Sequence, residues 1–351
     1  MEPHGGNLRR AKERYGLPAG GWLDFSANIN PLGPPAVLKQ ALQQVVETKL
    51  QHYPDPESKN LQQVLAHHHG LKPENVLCGN GASQLLWLAL AVWPKGRLLL
   101  PVPSFSEYER NARLWGHELE FFPARESEQF NFDLEELYRR LAHCSGLILG
   151  NPNNPTSTLV PKSDLIHLAS RGKYMLVDEA FLDLTLDQEA NSLAPLVNDF
   201  PNLIVVRAFT KSLAIPGLRL GYALAHETTL EAMKELQVPW SVNSGAQAVG
   251  EVFPLLTKYR ENTRAWLASE PDYLWQQLNL LPGIKANPPI TNFILCRYKK
   301  SAAHLAHALA KKGILIRLAG NFRGLDDRYF RVAVRLREEN KRLLAALKKA
   351  L

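Results

Sequence analysis

The chain has 351 residues, 45% of them hydrophobic and 21% charged, with a formal net charge of +7. This composition is ordinary for a globular protein with a substantial core, and the length predicts two or three domains. No segment approaches the roughly 18 apolar residues of a membrane span, and the N-terminus lacks an apolar signal segment. Its cysteines (Cys78, Cys144 and Cys296) are too far apart to suggest disulfides or a metal site. We therefore expect a soluble, cytoplasmic protein with no metal.

The positive charge predicts a preference for anionic ligands. Much of the excess lies on late helical segments such as residues 341–349. No helix-turn-helix, zinc-finger or stacking-aromatic motif accompanies it, so nucleic acid is disfavoured. A phosphorylated small molecule is the better expectation.

Between about residues 74 and 225, short apolar runs alternate with amphipathic stretches. Strands are predicted at residues 75–78, 97–101, 119–122, 146–149, 174–177, 203–206 and 218–223, and helices among them at residues 85–92, 107–115, 134–141 and 162–170. This alternation predicts an α/β fold with a mostly parallel sheet that is flanked by helices. In such sheets, ligands bind at the carboxyl ends of the strands.

The pattern changes after Val242. A long helical region is predicted at residues 244–279, broken near Pro254 and Pro271. Strands at residues 292–297, 314–317 and 330–334 follow, with helices at residues 302–312 and from residue 338. We expect a smaller C-terminal α/β domain at residues 246–351, joined by the N-terminal segment 1–45, and a large domain at residues 46–245.

A glycine-rich turn at residues 79–84 follows a predicted strand and opens an apolar helix. Glycines let a phosphate approach the backbone, and the free amides and the helix dipole favour an anion. An ordinary strand-to-helix turn with Ser83 near the N-cap explains the same residues equally well.

Lys211 lies just past an apolar strand and is followed by Gly217, Arg219 and Gly221. An amine on a rigid element can form a Schiff base with pyridoxal phosphate (PLP), and nearby cationic and backbone groups can hold its phosphate. A lone lysine in this position is more often a solvated surface group. The motif therefore needs support from other segments.

Two polar residues at other strand ends give that support. Asn154 lies in a proline-rich loop, where its amide can donate to a phenolate, and Asp178 directly follows a strand, where a carboxylate can keep a pyridine nitrogen protonated. Taken singly, each is explained by a turn or a cap. Together with Gly81, Lys211 and Arg219, they supply each contact that PLP requires.

These segments resemble the fold type I PLP enzymes of aminotransferase class I/II, in the subgroup that contains histidinol-phosphate aminotransferase, over nearly the whole chain. The resemblance implies that Lys211 is the Schiff-base lysine, that Asp178 faces the pyridine nitrogen and that Asn154 contacts O3′. The other implied cofactor contacts are Phe105 on the ring, Gly81, Ala82, Ser83, Thr210 and Arg219 at the phosphate, and Tyr53 at the phosphate of the neighbouring subunit. It also implies a homodimer with shared active sites.

A narrower resemblance concerns the threonine-phosphate decarboxylases of cobalamin biosynthesis. It rests on His4-Gly-Gly-Asn7, on residues 23–33, 238–243, 314–317 and 330–335, and on Phe181, where aminotransferases usually carry a tyrosine. It implies decarboxylation of L-threonine O-3-phosphate to (R)-1-amino-2-propanol O-2-phosphate. The chain departs from the family pattern at Ser157, where glycine is usual after Asn-Pro-Thr.

The substrate contacts follow from the same resemblance. Arg331 is the candidate for the substrate carboxylate because a guanidinium can grip it with two hydrogen bonds. Arg317, His4 and Asn30 are candidates for the substrate phosphate, and Asn154 is expected to touch substrate as well as cofactor. The alternative for the arginines is a position at a strand edge on the surface, and for His4 a frayed terminus.

Two other functions remain open from the sequence. One is a histidinol-phosphate-type aminotransferase with the same cofactor. The other is a non-catalytic regulator with this fold that binds DNA. A regulator is expected to carry a winged-helix domain first, whereas only about 50 residues precede Tyr53, and the intact Lys211 also argues against it. The expected partners are therefore a phosphorylated amino acid and a second copy of the chain, with no nucleic acid and no membrane.

Overall fold

The computed structural model describes residues 5–16, 18 and 20–351. The strands β1 to β13 are Leu23–Asp24, Val76–Asn80, Arg97–Val102, Glu118–Pro123, Gly146–Gly150, Tyr174–Asp178, Leu203–Ala208, Leu220–Ala225, Ile284–Ala286, Phe293–Tyr298, Ile314–Leu315, Arg317–Leu318 and Tyr329–Ala333. The helices α1 to α15 are Leu8–Tyr15, Ala36–Thr48, Lys59–His69, Gly81–Val92, Ser106–Leu114, Leu134–Leu141, Lys162–Ala169, Gln188–Asn191, Phe209–Ser212, Glu227–Glu235, Ser244–Glu251, Thr257–Leu267, Glu270–Asn279, Ala302–Ala310 and Arg337–Lys348. None of these described helices is both long enough and apolar enough to cross a lipid bilayer.

A seven-stranded sheet forms the larger part of the molecule, in the order β2-β8-β7-β6-β5-β3-β4. The pairs from β7 to β4 are parallel, and β8 runs antiparallel to both of its neighbours. All seven strands predicted between residues 74 and 225 are present. The predicted α/β fold with a mostly parallel sheet is therefore confirmed.

The reversal at β8 brings two site residues to one edge of the sheet. Residues 209–219 connect β7 to β8 and contain only the short helix α9. A parallel return needs a crossover of about a dozen residues or more, usually with a full helix, so this chain turns back antiparallel. Lys211 at the end of β7 and Arg219 at the start of β8 consequently share the edge where the parallel strands end.

Side chains of the sheet pack into separate apolar cores on its two faces. Leu147, Leu149 and Val177 belong to one core, whereas Ile148 and Leu176 belong to the other. This alternation follows from the two-residue period of a strand. Burial of both faces explains why these strands are continuous apolar runs and holds their carboxyl ends rigidly in place.

A four-stranded antiparallel sheet of order β12-β13-β10-β9 forms the smaller part, with its own apolar core. The N-terminal strand β1 pairs in parallel with β11, so the N-terminal segment joins this smaller part. Residues 246–256 pack on the core of the large sheet. We therefore propose that the domain boundary lies beyond residue 256 rather than near residue 245.

One predicted strand, at residues 314–317, is two strands in the structure. Ile314–Leu315 pairs with β1, and Arg317–Leu318 pairs with β13. The break at Ile316 changes the pairing partner. As a result, Arg317 stands opposite Arg331.

Candidate active site

A cavity of about 440 Å³ lies at the carboxyl ends of β5, β6 and β7, facing the small sheet. Its volume is in the usual range for small-molecule sites. The predicted site residues that line it are Ala82, Ser83, Phe105, Asn154, Asp178, Thr210, Lys211, Arg219, Arg317 and Arg331. Residues separated by as many as 249 positions, from 82 to 331, thus converge on one space.

Lys211 lies in α9, immediately after β7, and its amine faces the cavity. Burial, with help from Arg331 and Arg219, lowers the pKa of Lys211 from 10.5 to about 8, and Asp178 opposes this shift. A larger fraction of the amine is therefore neutral near physiological pH than for an ordinary lysine. The neutral amine is the nucleophilic form.

Asp178 ends β6 and is held by two hydrogen bonds. Its Oδ1 accepts from the backbone N–H of Ala180 at 3.0 Å, and its Oδ2 accepts from the hydroxyl of Tyr108 at 2.8 Å. Burial raises the pKa of Asp178, and both bonds oppose that rise because they stabilise the carboxylate. Sequence reasoning missed Tyr108, whose signal was its place one helical turn after Phe105 in α5.

The first turn of α4 and the guanidinium of Arg219 form a cradle for an anion. Gly81 has φ +73°, and a Cβ added to it would lie 2.4 Å from Arg219 Nη2. Glycine is therefore required for this close approach. The unpaired N–H groups at a helix N-terminus attract an anion, and Ala82 and Ser83 line the cavity there.

Arg331, on β13, reaches the loop that carries Asn154. Its Nη1 contacts Asn154 Oδ1, and its Nη2 donates to the carbonyl of Ser26 at 3.0 Å. Burial and the nearby Arg317 lower the pKa of Arg331 to about 9. Among the described residues no ion pair involves Arg331. Its charge is thus available to a carboxylate ligand.

Arg317 is the cross-strand partner of Arg331 and lines the same cavity. Its Nη2 donates to Asn321 Oδ1 at 2.8 Å, and its guanidinium lies 5.3 Å from the centre of the Phe322 ring. Phe322 also lines the cavity. The structure therefore places both predicted substrate arginines in buried, facing positions rather than at an exposed strand edge.

The structure does not bring Asn30 into the cavity. Its side-chain amide donates to Ser212 O at 3.0 Å and Thr263 Oγ1 at 2.9 Å, so it supports the backbone behind Lys211. This corrects the expectation that Asn30 contacts the substrate phosphate. Asn28 lines the cavity instead, and both of its side-chain polar atoms are buried without a partner in the described chain. The sequence offered both asparagines and no means of choosing between them.

The predicted N-terminal contribution is represented by Gly5, because His4 lies outside the described residues. Gly5 lines the cavity, and a Cβ added to it would lie 2.0 Å from the carbonyl oxygen of Ser26. The N–H of Gly6 donates to Ser26 Oγ at 2.8 Å. The chain therefore passes close to the cavity at this point, and the contact of His4 with a substrate phosphate stays a prediction.

Tyr53 does not line the cavity of its own chain. It is 81% exposed and stacks on Trp240, with the ring centres 4.8 Å apart. An exposed pair of aromatic rings is unusual on a surface that faces only water. The predicted contact of Tyr53 with the cofactor phosphate of a neighbouring subunit stays a prediction.

Phe181 also lines the cavity, and its ring packs edge-on against Phe293 at 4.9 Å. It carries no hydroxyl, so it cannot donate a hydrogen bond to a ligand oxygen. Asn154 thus supplies the only side-chain amide among the predicted cofactor contacts.

Among the described residues there is no cluster of three or more histidine, cysteine or acidic side chains that could hold a metal ion.

The residues around the cavity fit PLP. The glycine cradle beside Arg219 suits its phosphate, Asp178 suits its pyridine nitrogen, and Lys211 supplies the amine for its aldehyde. Phe105 lines the cavity beside Tyr108, where a ring can stack on the cofactor. The agreement covers the whole cofactor rather than a single contact.

Comparisons with known proteins agree with this geometry. A family model described as aminotransferase class I and II matches residues 21–347. The chain is 36% identical to the threonine-phosphate decarboxylase of Salmonella typhimurium, over 99% of this chain and 96% of that protein. The crystal structure of the histidinol-phosphate aminotransferase from Clostridium acetobutylicum gives a TM-score of 0.87 at 32% identity, over 93% of this chain and 98% of that one. The crystal structure of L-threonine-O-3-phosphate decarboxylase from Porphyromonas gingivalis gives a TM-score of 0.84 at 27% identity, with the same coverage of both chains.

Proposed function

Because the chain belongs to the aminotransferase class I and II family and is therefore a PLP-dependent enzyme, we propose that it decarboxylates L-threonine O-3-phosphate. The product is (R)-1-amino-2-propanol O-2-phosphate, a building block of cobalamin. The likeness to the Salmonella typhimurium decarboxylase over nearly the whole of both chains supports this choice. The distinguishing step is the loss of the substrate carboxylate.

The pair Arg317 and Arg331 carries the proposal. Opposite residues of an antiparallel pair have Cα atoms about 5 Å apart, so two buried guanidinium groups line the cavity side by side. Asn28 adds a buried amide with no partner in the described chain. A small substrate with both a carboxylate and a phosphate matches this arrangement, since each anionic group receives its own arginine.

When bound, PLP supplies an aldehyde that bonds to amines and a ring that withdraws the electron pair left at the substrate Cα. Asp178 holds a proton at the ring nitrogen, which strengthens that withdrawal. Tyr108 keeps Asp178 oriented and favours its charged form. Lys211, whose pKa is about 8, can return a proton to the substrate Cα after CO₂ has left.

Arg331 decides which bond is broken. A guanidinium fixes both the position and the plane of a carboxylate by two parallel hydrogen bonds. Loss of the carboxylate would depend on how that group is oriented toward a bound cofactor, so the residue that holds the carboxylate would also select the reaction. The contact between Arg331 and Asn154 links that residue to the cofactor loop.

We also propose that two copies of the chain share their sites through Tyr53 and that the enzyme works in the cytoplasm. The exposed, stacked rings of Tyr53 and Trp240 support a partner at this surface. A hydroxyl from the partner would add to the phosphate cradle formed by Gly81 and Arg219.

The second candidate is a histidinol-phosphate-type aminotransferase, favoured by the likeness to the Clostridium acetobutylicum structure. That reaction would transfer the amino group of the substrate to the cofactor and would need a 2-oxo acid to accept it. Phe181 favours the decarboxylase, because the aminotransferase pattern has a tyrosine, with a hydroxyl donor, at this position.

A substrate comparison tests the proposal. Turnover of L-threonine O-3-phosphate is measured against L-threonine for the wild type, Arg317→Ala and Arg331→Ala. We expect Arg317→Ala to lose the preference for the phosphorylated substrate and Arg331→Ala to reduce turnover of both. Equal turnover of both substrates by the wild type, or none of either, would refute the proposal.

A further inference from the structure

Ser157 lies in the same loop as Asn154 and has an unusual backbone. Its φ is +61°, and its side chain is completely buried. A residue with a Cβ adopts this left-handed region at a cost in conformational energy that glycine does not pay. Glycine is usual at this point of the family pattern. The hydroxyl of this buried serine offers an interaction that glycine cannot make.

That interaction joins the two parts of the molecule. Ser157 Oγ accepts from the backbone N–H of Ile290 at 3.0 Å and from that of Thr291 at 3.2 Å. Both amides follow two consecutive prolines, which have no N–H to donate. One hydroxyl thus satisfies the first two available amides of the segment that enters β10 of the small sheet.

The path from this contact leads to Arg331. Phe293, the first residue of β10, lies two positions after Thr291, and its ring centre is 5.3 Å from the Arg331 guanidinium. On the other side, Arg331 Nη1 contacts Asn154, three residues before Ser157. The loop therefore holds Arg331 directly through Asn154 and indirectly through Ser157.

We propose that Ser157 is a positioning residue that fixes the substrate-carboxylate arginine, Arg331, over the cavity before substrate binds. The inference rests on the proposed function for the role of Arg331, but the contact itself does not. With a glycine at 157, the small sheet would be tied to this loop by one fewer side chain. Arg331 would then sample more positions, and ordering it would reduce the binding free energy of a carboxylate.

Two variants distinguish the effect of the Ser157 hydroxyl from the effect of its strained backbone. Ser157→Gly removes the hydroxyl and relaxes the positive φ, whereas Ser157→Ala removes the hydroxyl and keeps the strain. Ser170→Ala is the matched control, because its exposed hydroxyl bonds only to the nearby His167 carbonyl, at 2.8 Å, in the described structure. An effect shared by both Ser157 variants and absent from the control belongs to the hydroxyl.

The first measurement is amide hydrogen exchange of the full chain with PLP bound. In a peptide covering residues 287–292, the amides of Ile290 and Thr291 are those that lose their acceptor. We expect them to exchange about 10-fold faster in both variants, the scale of one lost buried hydrogen bond. Unchanged exchange would overturn the proposal regardless of which reaction the enzyme catalyses.

The second measurement separates positioning from general support. The KM for L-threonine O-3-phosphate, which has a carboxylate, is compared with the inhibition constant of (R)-1-amino-2-propanol O-2-phosphate, which has none. We expect the KM to rise about 10-fold and the inhibition constant to change by less than about twofold. If the KM and the inhibition constant rise by the same factor, or if neither changes, the positioning role is overturned.

The wild type could release no CO₂ and instead transfer amino groups. The proposed function would then fail, but the Ser157 proposal could still be tested. In that case the KM for 2-oxoglutarate, which has carboxylates, is compared with the KM for histidinol phosphate, which has none. A selective rise in the KM for 2-oxoglutarate supports the positioning role, and a uniform change overturns it.

Discussion

Arg317 and Arg331 stand directly opposite each other on β12 and β13, and both are buried at the wall of one cavity. Two adjacent guanidinium groups repel each other, and burial deprives them of water, which is why the pKa of Arg331 is lowered to about 9. An anionic ligand would offset these costs by its attraction to both guanidinium groups. The pair supports the proposal that the substrate carries both a carboxylate and a phosphate.

The first prediction concerns this arrangement. Arg331→Lys keeps the charge but loses the fork that fixes the plane of a carboxylate. We expect kcat/KM for L-threonine O-3-phosphate to fall by about 10- to 100-fold, the value of a hydrogen bond to a charged group. Arg342→Lys, at an exposed position, is the control and should leave the steady-state rate unchanged. A fall no larger than that of the control would contradict the role of Arg331.

The second prediction uses the lowered pKa of Lys211. Only the neutral amine reacts with the aldehyde of PLP, and its pKa is lowered from 10.5 to about 8. The rate at which the apoprotein captures PLP should therefore rise as the pH passes through about 8 and then level off. Stopped-flow absorbance measures this rate, and borohydride reduction should leave the label on Lys211. Lys211→Ala should retain no label after reduction, whereas Lys311→Ala should behave as the wild type. A rate that keeps rising to pH 10 would refute the assigned shift.

The third prediction concerns Tyr108, which donates to Asp178. Tyr108→Phe removes a bond that lowers the pKa of Asp178, so this pKa should rise. Activity that depends on the charged carboxylate is lost as the pH falls through this pKa, and the acid limb of the pH–rate profile should move upward by about one pH unit. Tyr138→Phe is the control, because the Tyr138 ring packs edge-on against His167 away from the cavity. An acid limb that stays in place would show that Tyr108 does not act through Asp178.

The fourth prediction concerns the shared site. Tyr53→Phe should weaken PLP binding by about 1–2 kcal/mol, the scale of a hydrogen bond to a charged acceptor, while the dimer persists in sedimentation. Binding is measured by titrating the apoprotein and following the absorbance. A wild-type monomer with full activity would contradict both the shared site and the role of Tyr53.

The sequence predicted the large sheet well because its strands are buried on both faces and read as uninterrupted apolar runs. The residues at their carboxyl ends, such as Asn154, Asp178 and Lys211, could be placed for the same reason. Irregular segments were harder, since hydropathy does not show which way a side chain points. The asparagine motif therefore indicates Asn30, whereas the structure has Asn28 at the cavity wall.

Three other features depend on tertiary contacts between residues that are far apart in the sequence. The strand predicted at residues 314–317 divides because its halves pair with different partners. The contact of Ser157 with Ile290 and Thr291 spans more than 130 residues, and the sequence showed only that a glycine was missing. Tyr108 was overlooked because a tyrosine on a helix does not reveal the carboxylate that it meets.

The most direct test of the account is the fate of L-threonine O-3-phosphate when the PLP-loaded enzyme receives no 2-oxo acid. We predict continuous release of CO₂ over many turnovers, equimolar with (R)-1-amino-2-propanol O-2-phosphate, while the cofactor spectrum returns to that of the aldehyde form. An aminotransferase would stop after one turnover, with its cofactor converted to pyridoxamine phosphate. Absence of CO₂, together with ready amino transfer from histidinol phosphate to 2-oxoglutarate, would contradict the proposed decarboxylation.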